Sequence, residues 1–503
     1  MLDDMTRRDR VWLVLLTLVA ATLRLVRLDA QSLWIDEFLM ILRASLGEPF
    51  RWSDWFVNPQ GPLPALLLRW SVAAFGSSEW ALRLPSALLG TATVPLVYIL
   101  ARRLHPSSAW PAAILATISP FLIWYSQETR HYALAVLAAA WSGIAFLRLL
   151  DERPGRSAVL HYSLSLLVGL MSHLVMGFVA IAHGLTLFRW RRDRVPAWLA
   201  AVVPAFLLFS PWLWVAVTQN LNLANVAQPG SIPEAELLRG ESTFSWLGLP
   251  YTFFVFLAGY SLGPSLVELH DAPRMATVLP HLATILPLAL GALVLALSGL
   301  AAMRREPAHR GLVLLSLAVP LLAVTLLSLQ NAKVFHPRYV ALALPFLLSL
   351  LGAGFAHLRA TRVVVACAAA LLVVVPSLVS LGNYYGNSRY AREDSRGAAR
   401  ILRGQATASD IVLGQGAPQL LEWYDHGPAP VVIVFEPWLR DPQALDARIE
   451  AWSAGRRHVW LMCVRPWIQD PGRTLKTVLD RRFGPGEAHP LNGVTLIRYS
   501  TGR

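Results

Sequence analysis

Apolar stretches long enough to cross a lipid bilayer recur between residues 11 and 382, and they constrain this chain more than any other feature. A hydrocarbon core of about 30 Å takes about twenty residues of helix to span. With 55% hydrophobic and only 15% charged residues over 503 positions, the composition excludes an ordinary soluble enzyme. The first stretch, Val11 to Leu28, resembles a signal peptide in length. It lacks a small-residue cleavage site and more spans follow, so it reads as a retained helix.

The pattern predicts about eleven transmembrane helices, near 11–28, 83–103, 108–126, 131–149, 158–172, 174–190, 196–217, 278–302, 310–329, 338–357 and 362–382. The apolar stretch 62–75 is shorter, opens on Pro62 and Pro64, and reads as interfacial. Arginines support that choice. With the N-terminus inside, the cytoplasmic turns hold Arg7, Arg8 and Arg10, Arg102-Arg103, Arg148 to Arg156, Arg189 to Arg194, Arg304 to Arg310, and Arg359 with Arg362. Nearly every inside turn is basic, as membrane topology demands, and counting 62–75 as a span would break the alternation. The net charge of +13 therefore sits mainly in short loops and points to no nucleic acid. Cys367 and Cys463, the two cysteines, predict no disulfide and no metal cluster.

A transmembrane domain over 1–382 and a soluble extracytoplasmic domain over 383–503 follow. In the first, outer loops at 29–82 and 218–277 interrupt the spans. The second outer loop carries Asn220, Asn222, Asn225 and Gln228, then an aromatic patch at Tyr251–Tyr260 that suits a surface or re-entrant helix. In the tail, short β-rich runs at Ile411–Gly414, Val431–Phe435, Val459–Val464 and Val494–Tyr499 alternate with helical patterns near 416–425, 441–454 and 473–483. That alternation predicts a small α/β domain with a mainly parallel sheet. No glycine-rich phosphate loop follows a strand, so nucleotide binding is not assigned.

On this topology four polar places face the outer surface. They are Asp36-Glu37 after the first helix, the hinge Ser126 to Tyr132, His173, and the segment Lys333 to Tyr339. A lone acidic pair fits a solvated loop equally well, and a lone arginine fits snorkelling to headgroups. Gln127, Glu128, Arg130, His131 and Tyr132 packed into one hinge are harder to explain so, because a tight turn needs none of them. Arginine forks suit phosphate oxygens, and a carboxylate suits removal of a proton from an attacking hydroxyl. The group fits sugar transfer from a lipid phosphate carrier.

The chain resembles the lipid-phosphate-sugar-dependent membrane glycosyltransferases of the GT-C class. Within them it is similar to the bacterial branch of the dolichyl-phosphate-mannose protein mannosyltransferase family, which is related to the aminoarabinose transferases of lipid A. The residues that carry the resemblance are Leu23-Arg24-Leu25, Trp34-Ile35-Asp36-Glu37, Pro62-Leu63, Glu79 through Ser86, Ser119-Pro120-Phe121, Tyr125 through Glu128, Arg130-His131-Tyr132, Arg338-Tyr339 and Pro345. The resemblance implies inverting transfer of a sugar from a polyprenyl-phosphate donor to a hydroxyl acceptor on protein, glycan or lipid, at the outer face of a bacterial inner membrane. It implies Asp36 as catalytic carboxylate with Glu37 beside it. Gln127, Glu128, Arg130 and Tyr132 would form a donor-site hinge, and Arg338 and Tyr339 a phosphate-side element. Arg83, His131, His173 and His336 are further candidates, as is Gln60, which stands where many relatives have the histidine of His-Pro-Pro-Leu. Asp36, Glu37, His173 and His336 are also the ligand types for a divalent metal, although an obligatory one is not expected. A transporter or flippase of lipid-linked glycans is the alternative, but it should show mid-membrane charges and internal repeats.

Overall fold

The computed structural model describes residues 5–46, 61–151, 154–226, 245–271, 274–330, 335–416, 418–434, 436–466, 470 and 472–502. They form two compact units. The first comprises Met1–Leu28, Arg43–Gly263 and Pro280–Tyr385; the second comprises Asp29–Leu42, Pro264–Leu279 and Gly386–Arg503. The boundary expected after residue 382 thus lies three residues later, and two distant segments join the tail.

All eleven stretches anticipated as spans are helical. In chain order the helices of the first unit are α1 (Arg7–Leu25), α3 (Leu63–Phe75) to follow α2 (Ile35–Arg43), α4 (Glu79–Leu104), α5 (Ala109–Ile118), α6 (Pro120–Ser126), α7 (Tyr132–Leu149), α8 (Arg156–Leu170), α9 (Met176–Trp190), α10 (Val195–Val226) and α11 (Gly248–Ala258). After α12 (Leu266–Asp271) and α13 (Arg274–Val278) come α14 (Leu282–Ala302), α15 (Pro307–Leu329), α16 (Leu344–Thr361) and α17 (Val363–Gly386). Among the described residues, seven helices are long and apolar enough to cross a membrane, or eight if α5 and α6, bent by 54°, count as one span. The count falls below eleven for physical reasons. Arg8, Asp9, Arg10 and Arg24 charge α1, while α8 and α9 have only 15 residues each, about 22 Å of helix. Helix α3 has 13 residues, too short to span, as its sequence suggested. Helix α10 runs to Val226, past the expected end at 217, because residues 218–226 contain neither glycine nor proline.

The turns sort into two contacting sets. In one, Arg103 pairs with Asp151 at 3.2 Å, Arg191 donates to the Leu150 carbonyl at 2.9 Å, and His309 bonds the Leu104 carbonyl at 3.2 Å. In the other, the rings of His131 and His173 lie 5.3 Å apart and those of His173 and Tyr339 5.9 Å apart. Helices α7, α8 and α9 each run from one set to the other. The basic turns and the histidine–tyrosine turns are therefore separate ends of the bundle. Between them a continuous apolar core joins Leu100, Phe146, Tyr162, Phe209, Leu312 and Phe346.

The α5–α6 bend is held by α1. Pro120 has no N–H, so the Ala116 carbonyl four residues earlier loses its helical partner. Arg24, fully buried, supplies the replacement, donating Nη2 to Ala116 O at 3.0 Å and Nη1 to Thr117 O at 3.3 Å. Gln127 returns the service at the end of α1. Its Nε2 donates to the carbonyls of Arg24 (2.9 Å) and Val26 (2.8 Å), and its Oε1 accepts from the Tyr384 hydroxyl at 2.8 Å. Helix α4 crosses close by at Gly90, where an added Cβ would sit 1.9 Å from Ser126 Oγ and 2.8 Å from Ser126 Cβ.

The second unit holds α18 (Ser395–Gln405) and a five-stranded sheet of order β2-β1-β3-β5-β4, with β1 Ile411–Gln415, β2 Val431–Ile433, β3 His458–Val464, β4 Glu487–Leu491 and β5 Val494–Ser500. Strands β1, β2 and β3 are parallel, whereas β5 pairs antiparallel with both β3 and β4. The sheet is mixed rather than mainly parallel because Asn492-Gly493, with Gly493 at φ +63°, turns β4 straight back into β5. The sequence pattern missed β4, an edge strand carrying Pro490. Helices α18 and α19 (Gln419–Trp423) cover one face through Ala399, Leu402 and Leu421. Helices α20 (Pro442–Ser453) and α21 (Thr474–Phe483) cover the other through Leu445, Ile449 and Leu479. Both cysteines are free, and burial pushes the Cys463 thiol up to about 12.

Two substitutions test this packing. Gly90→Ala should lower the thermal midpoint of the detergent-purified protein by overpacking α4 on α6, a cost of about 1–3 kcal/mol; an unchanged midpoint would show that the helices separate freely there. Gln127→Leu strands buried carbonyls at the end of α1, about 1–3 kcal/mol for each one left without a donor. Its signature is a lower unfolding midpoint, read by the same melt.

Candidate active site

In the first unit the hinge between α6 and α7 is the centre of a polar and aromatic cluster. Ser119 caps α6, its Oγ accepting from Leu122 N at 3.3 Å, and α6 ends one residue before Gln127. The hinge then turns through Glu128 and Arg130, whose N–H and carbonyl partners are Glu128 O at 2.8 Å and Ser86 Oγ at 3.1 Å. Ser172 fastens the neighbouring turn by donating to the His131 carbonyl at 2.9 Å. A third segment enters through Pro337–Ala343, a 3-10 turn capped by His336 Nδ1, which accepts from Arg338 N at 3.2 Å.

These three turns bring together residues that are far apart in sequence. The Tyr132 ring is almost fully buried and lies 4.4 Å from His131, 5.0 Å from Tyr125 and 5.9 Å from His173. Both Arg130 and Arg338 place their guanidinium carbon 5.8 Å from the centre of this same ring. Arg338 is also 5.3 Å from the Tyr339 ring and reaches its hydroxyl at 3.4 Å. His336 touches Tyr339 and Tyr260, with ring centres 6.2 and 6.1 Å apart. Glu128 is fully buried in the same cluster, and it and Arg338 act electrostatically on the Tyr125–Tyr260 hydroxyl pair, which are 2.9 Å apart. A tyrosine face flanked by two guanidiniums concentrates positive potential, and cation–π attraction helps hold both arginines beside the ring.

Of the residues singled out by sequence, Glu128, Arg130, His131, Tyr132, His173, His336, Arg338 and Tyr339 are thus gathered into one place. Gln127 adjoins them, but its amide is engaged by the α1 carbonyls and Tyr384, so it braces the hinge. Arg83, buried, donates Nη1 to the Leu28 carbonyl at 2.9 Å and tethers the exit of α1. Gln60 and Lys333 lie outside the described residues. Sequence reasoning named Tyr260 and Arg24 but gave neither a role in the site. The aromatic patch of α11 was the available signal for the first: it packs Phe256 against Phe121 at 5.0 Å and brings Tyr260 into the cluster. An arginine inside an apolar span was the signal for the second.

Asp36 and Glu37 belong to the second unit, in the first turn of α2, where helix dipoles favour carboxylates. Their environments differ. Asp36 is half-buried, whereas Glu37 is fully buried and pairs through Oε2 with Arg392 Nη1 at 3.3 Å. Removing one member of such a buried pair typically costs about 3–5 kcal/mol, because the other charge stays behind. Among the described residues no three His, Cys, Asp or Glu side chains come together to hold a metal ion.

Residues 59–215 match the family model described as dolichyl-phosphate-mannose-protein mannosyltransferase. A comparison with curated protein sequences found no match. Among solved structures, ArnT from Cupriavidus metallidurans is similar in its apo state with a TM-score of 0.60 at 15% identity, covering 98% of this chain and 99% of that one. ArnT bound to undecaprenyl phosphate gives 0.58 at 16% identity, with 97% and 98% covered. The archaeal oligosaccharyltransferase AglB from Archaeoglobus fulgidus, in complex with an inhibitory peptide and a dolichol-phosphate, gives 0.54 at 12% identity, with 99% and 75% covered. Over residues 59–215 the chain matches the dolichyl-phosphate-mannose-protein mannosyltransferase model, and over its length it shares the fold of the ArnT structures.

Proposed function

We propose that this enzyme transfers a sugar from a polyprenyl-phosphate donor to a hydroxyl acceptor, with inversion at the anomeric carbon. The observation that carries the reading is the pair of arginines, Arg130 and Arg338, held 5.8 Å from one buried tyrosine ring, Tyr132. Fixed guanidiniums suit a group whose negative charge grows as it leaves, because their orientation is settled before the reaction begins. Undecaprenyl phosphate in the ArnT structure and dolichol-phosphate in the AglB structure support the same choice of carrier.

In the proposed reaction the acceptor hydroxyl oxygen attacks the anomeric carbon. The bond from that carbon to the phosphate oxygen breaks, its electron pair leaving on the polyprenyl phosphate between Arg130 and Arg338. The hydroxyl proton passes to Asp36, the half-buried carboxylate of the acidic pair. Tyr132, Tyr339 and the neighbouring histidines line the donor site, and Glu128 sets the charge and orientation of the hinge. No step is routed through a metal. Protein, glycan and lipid hydroxyls all satisfy this chemistry as acceptors.

The two-ended sorting of the turns supports an orientation in a bacterial inner membrane with the arginine-rich turns and N-terminus cytoplasmic. The histidine–tyrosine end and the C-terminal domain then lie outside.

Purified enzyme incubated with a panel of polyprenyl-phosphate monosaccharides and membrane acceptors should release lipid phosphate. Asp36→Asn should reduce turnover at least ~100-fold, the lower range for loss of a general base, while the protein still binds undecaprenyl phosphate. Retained turnover would remove Asp36 from the role of base. Arg130→Gln should raise the apparent donor requirement about tenfold or more, the scale of a charge-assisted hydrogen bond, and unchanged donor dependence refutes the phosphate role.

A further inference from the structure

The residues leading into α2 are fastened to the C-terminal α/β domain along almost every position. Arg396 donates Nη1 to the Asp29 carbonyl at 3.1 Å and Nη2 to the Ala30 carbonyl at 2.7 Å. Gln31 Oε1 accepts from Arg392 N at 3.0 Å, Ser32 Oγ donates to the Glu393 carbonyl at 2.5 Å, and Leu33 N donates to the Tyr424 hydroxyl at 2.6 Å. The Arg465 guanidinium covers the Trp34 ring at 4.8 Å and also pairs with Glu393. Inside α2 itself, Glu37 completes the series through its buried ion pair with Arg392.

We propose that the C-terminal domain is the scaffold that positions the catalytic helix, and that Arg392 is a positioning residue acting on Asp36 through Glu37. The proposal rests on the reading of Asp36 as base. Successive residues of a helix differ by about 100° in direction and 1.5 Å in height. Pinning the Glu37 carboxylate in a closed site therefore fixes the rotation of α2, and with it the direction in which Asp36 projects. A stabilising domain packed anywhere on the protein would need no such contact. Here six consecutive residues, Asp29 to Trp34, and the buried Glu37 are gripped by side-chain and backbone groups of one domain.

The grip has its own support in the sheet. Asn492, at the turn between β4 and β5, donates Nδ2 to the carbonyls of Ala391 (2.5 Å) and Arg392 (3.2 Å), and its carbonyl accepts from Asp394 N at 2.9 Å. The next residue, Gly493, combines φ +63° with a position where a Cβ would meet Glu393 Cγ at 2.8 Å. Residues 391–394 are thereby clasped by the β4–β5 turn and present Arg392 to Glu37. The chain of contacts runs from sheet to turn to Arg392 to Glu37, one residue from Asp36.

Full-length Arg392→Gln, Arg392→Lys and Asp36→Asn proteins test this with three readouts: amide hydrogen exchange, turnover, and binding of undecaprenyl phosphate. For Arg392→Gln, amides of residues 35–43 should exchange on the order of tenfold faster while those of β1 and β3 keep their protection, since opening is local. Turnover should fall about tenfold or more, with undecaprenyl phosphate binding unchanged, and Arg392→Lys should recover part of both effects. Exchange in α2 that stays at the wild-type rate overturns the clamp. Faster exchange with wild-type turnover overturns its catalytic consequence. The Asp36→Asn protein separates the two readings: if it is inactive while Arg392→Gln is fully active, the positioning role fails and the base stands. If Asp36→Asn is itself active, the base assignment fails and takes the catalytic consequence with it, while the exchange result still decides the clamp.

Discussion

Where the helix formed by α5 and α6 breaks at Pro120, the Ala116 carbonyl loses its helical partner among apolar helices. Backbone groups in such surroundings must be satisfied internally, and a broken helix survives only where side chains take over. Arg24 does so for Ala116 and Thr117, and Gln127 does the same for the end of α1. The two segments cap one another. The break permits the hinge after α6 to turn toward α7 with Arg130 and Tyr132 at its tip, so the site depends on a repair made elsewhere.

The same logic identifies residues that brace the structure. Gln127, Arg83 and Glu37 are polar and buried, and each is committed to a protein partner by its geometry. Arg130, Arg338, Tyr132 and Tyr339 meet through ring faces and guanidinium edges. Asp36 and Glu37 are the clearest contrast. Adjacent in sequence and identical in charge, they differ in burial: Glu37 is closed off and pairs with Arg392, whereas Asp36 is half-buried.

The second unit extends this division of labour. Its sheet is an ordinary three-layer α/β arrangement, with both faces of β1 and β3 buried as parallel strands require. The unusual part is at its edge, where the Asn492-Gly493 turn organises residues 391–394 and these in turn receive the segment before α2. A domain that reads from composition as an appendage is, by its hydrogen bonds, the holder of a loop more than 350 residues earlier in the chain.

Sequence alone determined the helical membrane class, the position of nearly every helix, the polar hinge and the acidic pair. These are local properties: apolar length, proline breaks, and charge where hydrocarbon would reject it. Basic residues along the turns also foretold which turns would share an end. Tertiary structure alone decided which polar residues brace the hinge, that Arg24 mends a broken helix, that Tyr260 joins the aromatic cluster, and that the sheet is mixed. It also decided that Asp29–Leu42 belongs with the tail. No periodicity encodes these outcomes, because each depends on which distant donor reaches a given acceptor once the chain has packed, and a buried polar group takes its role from the partner it finds.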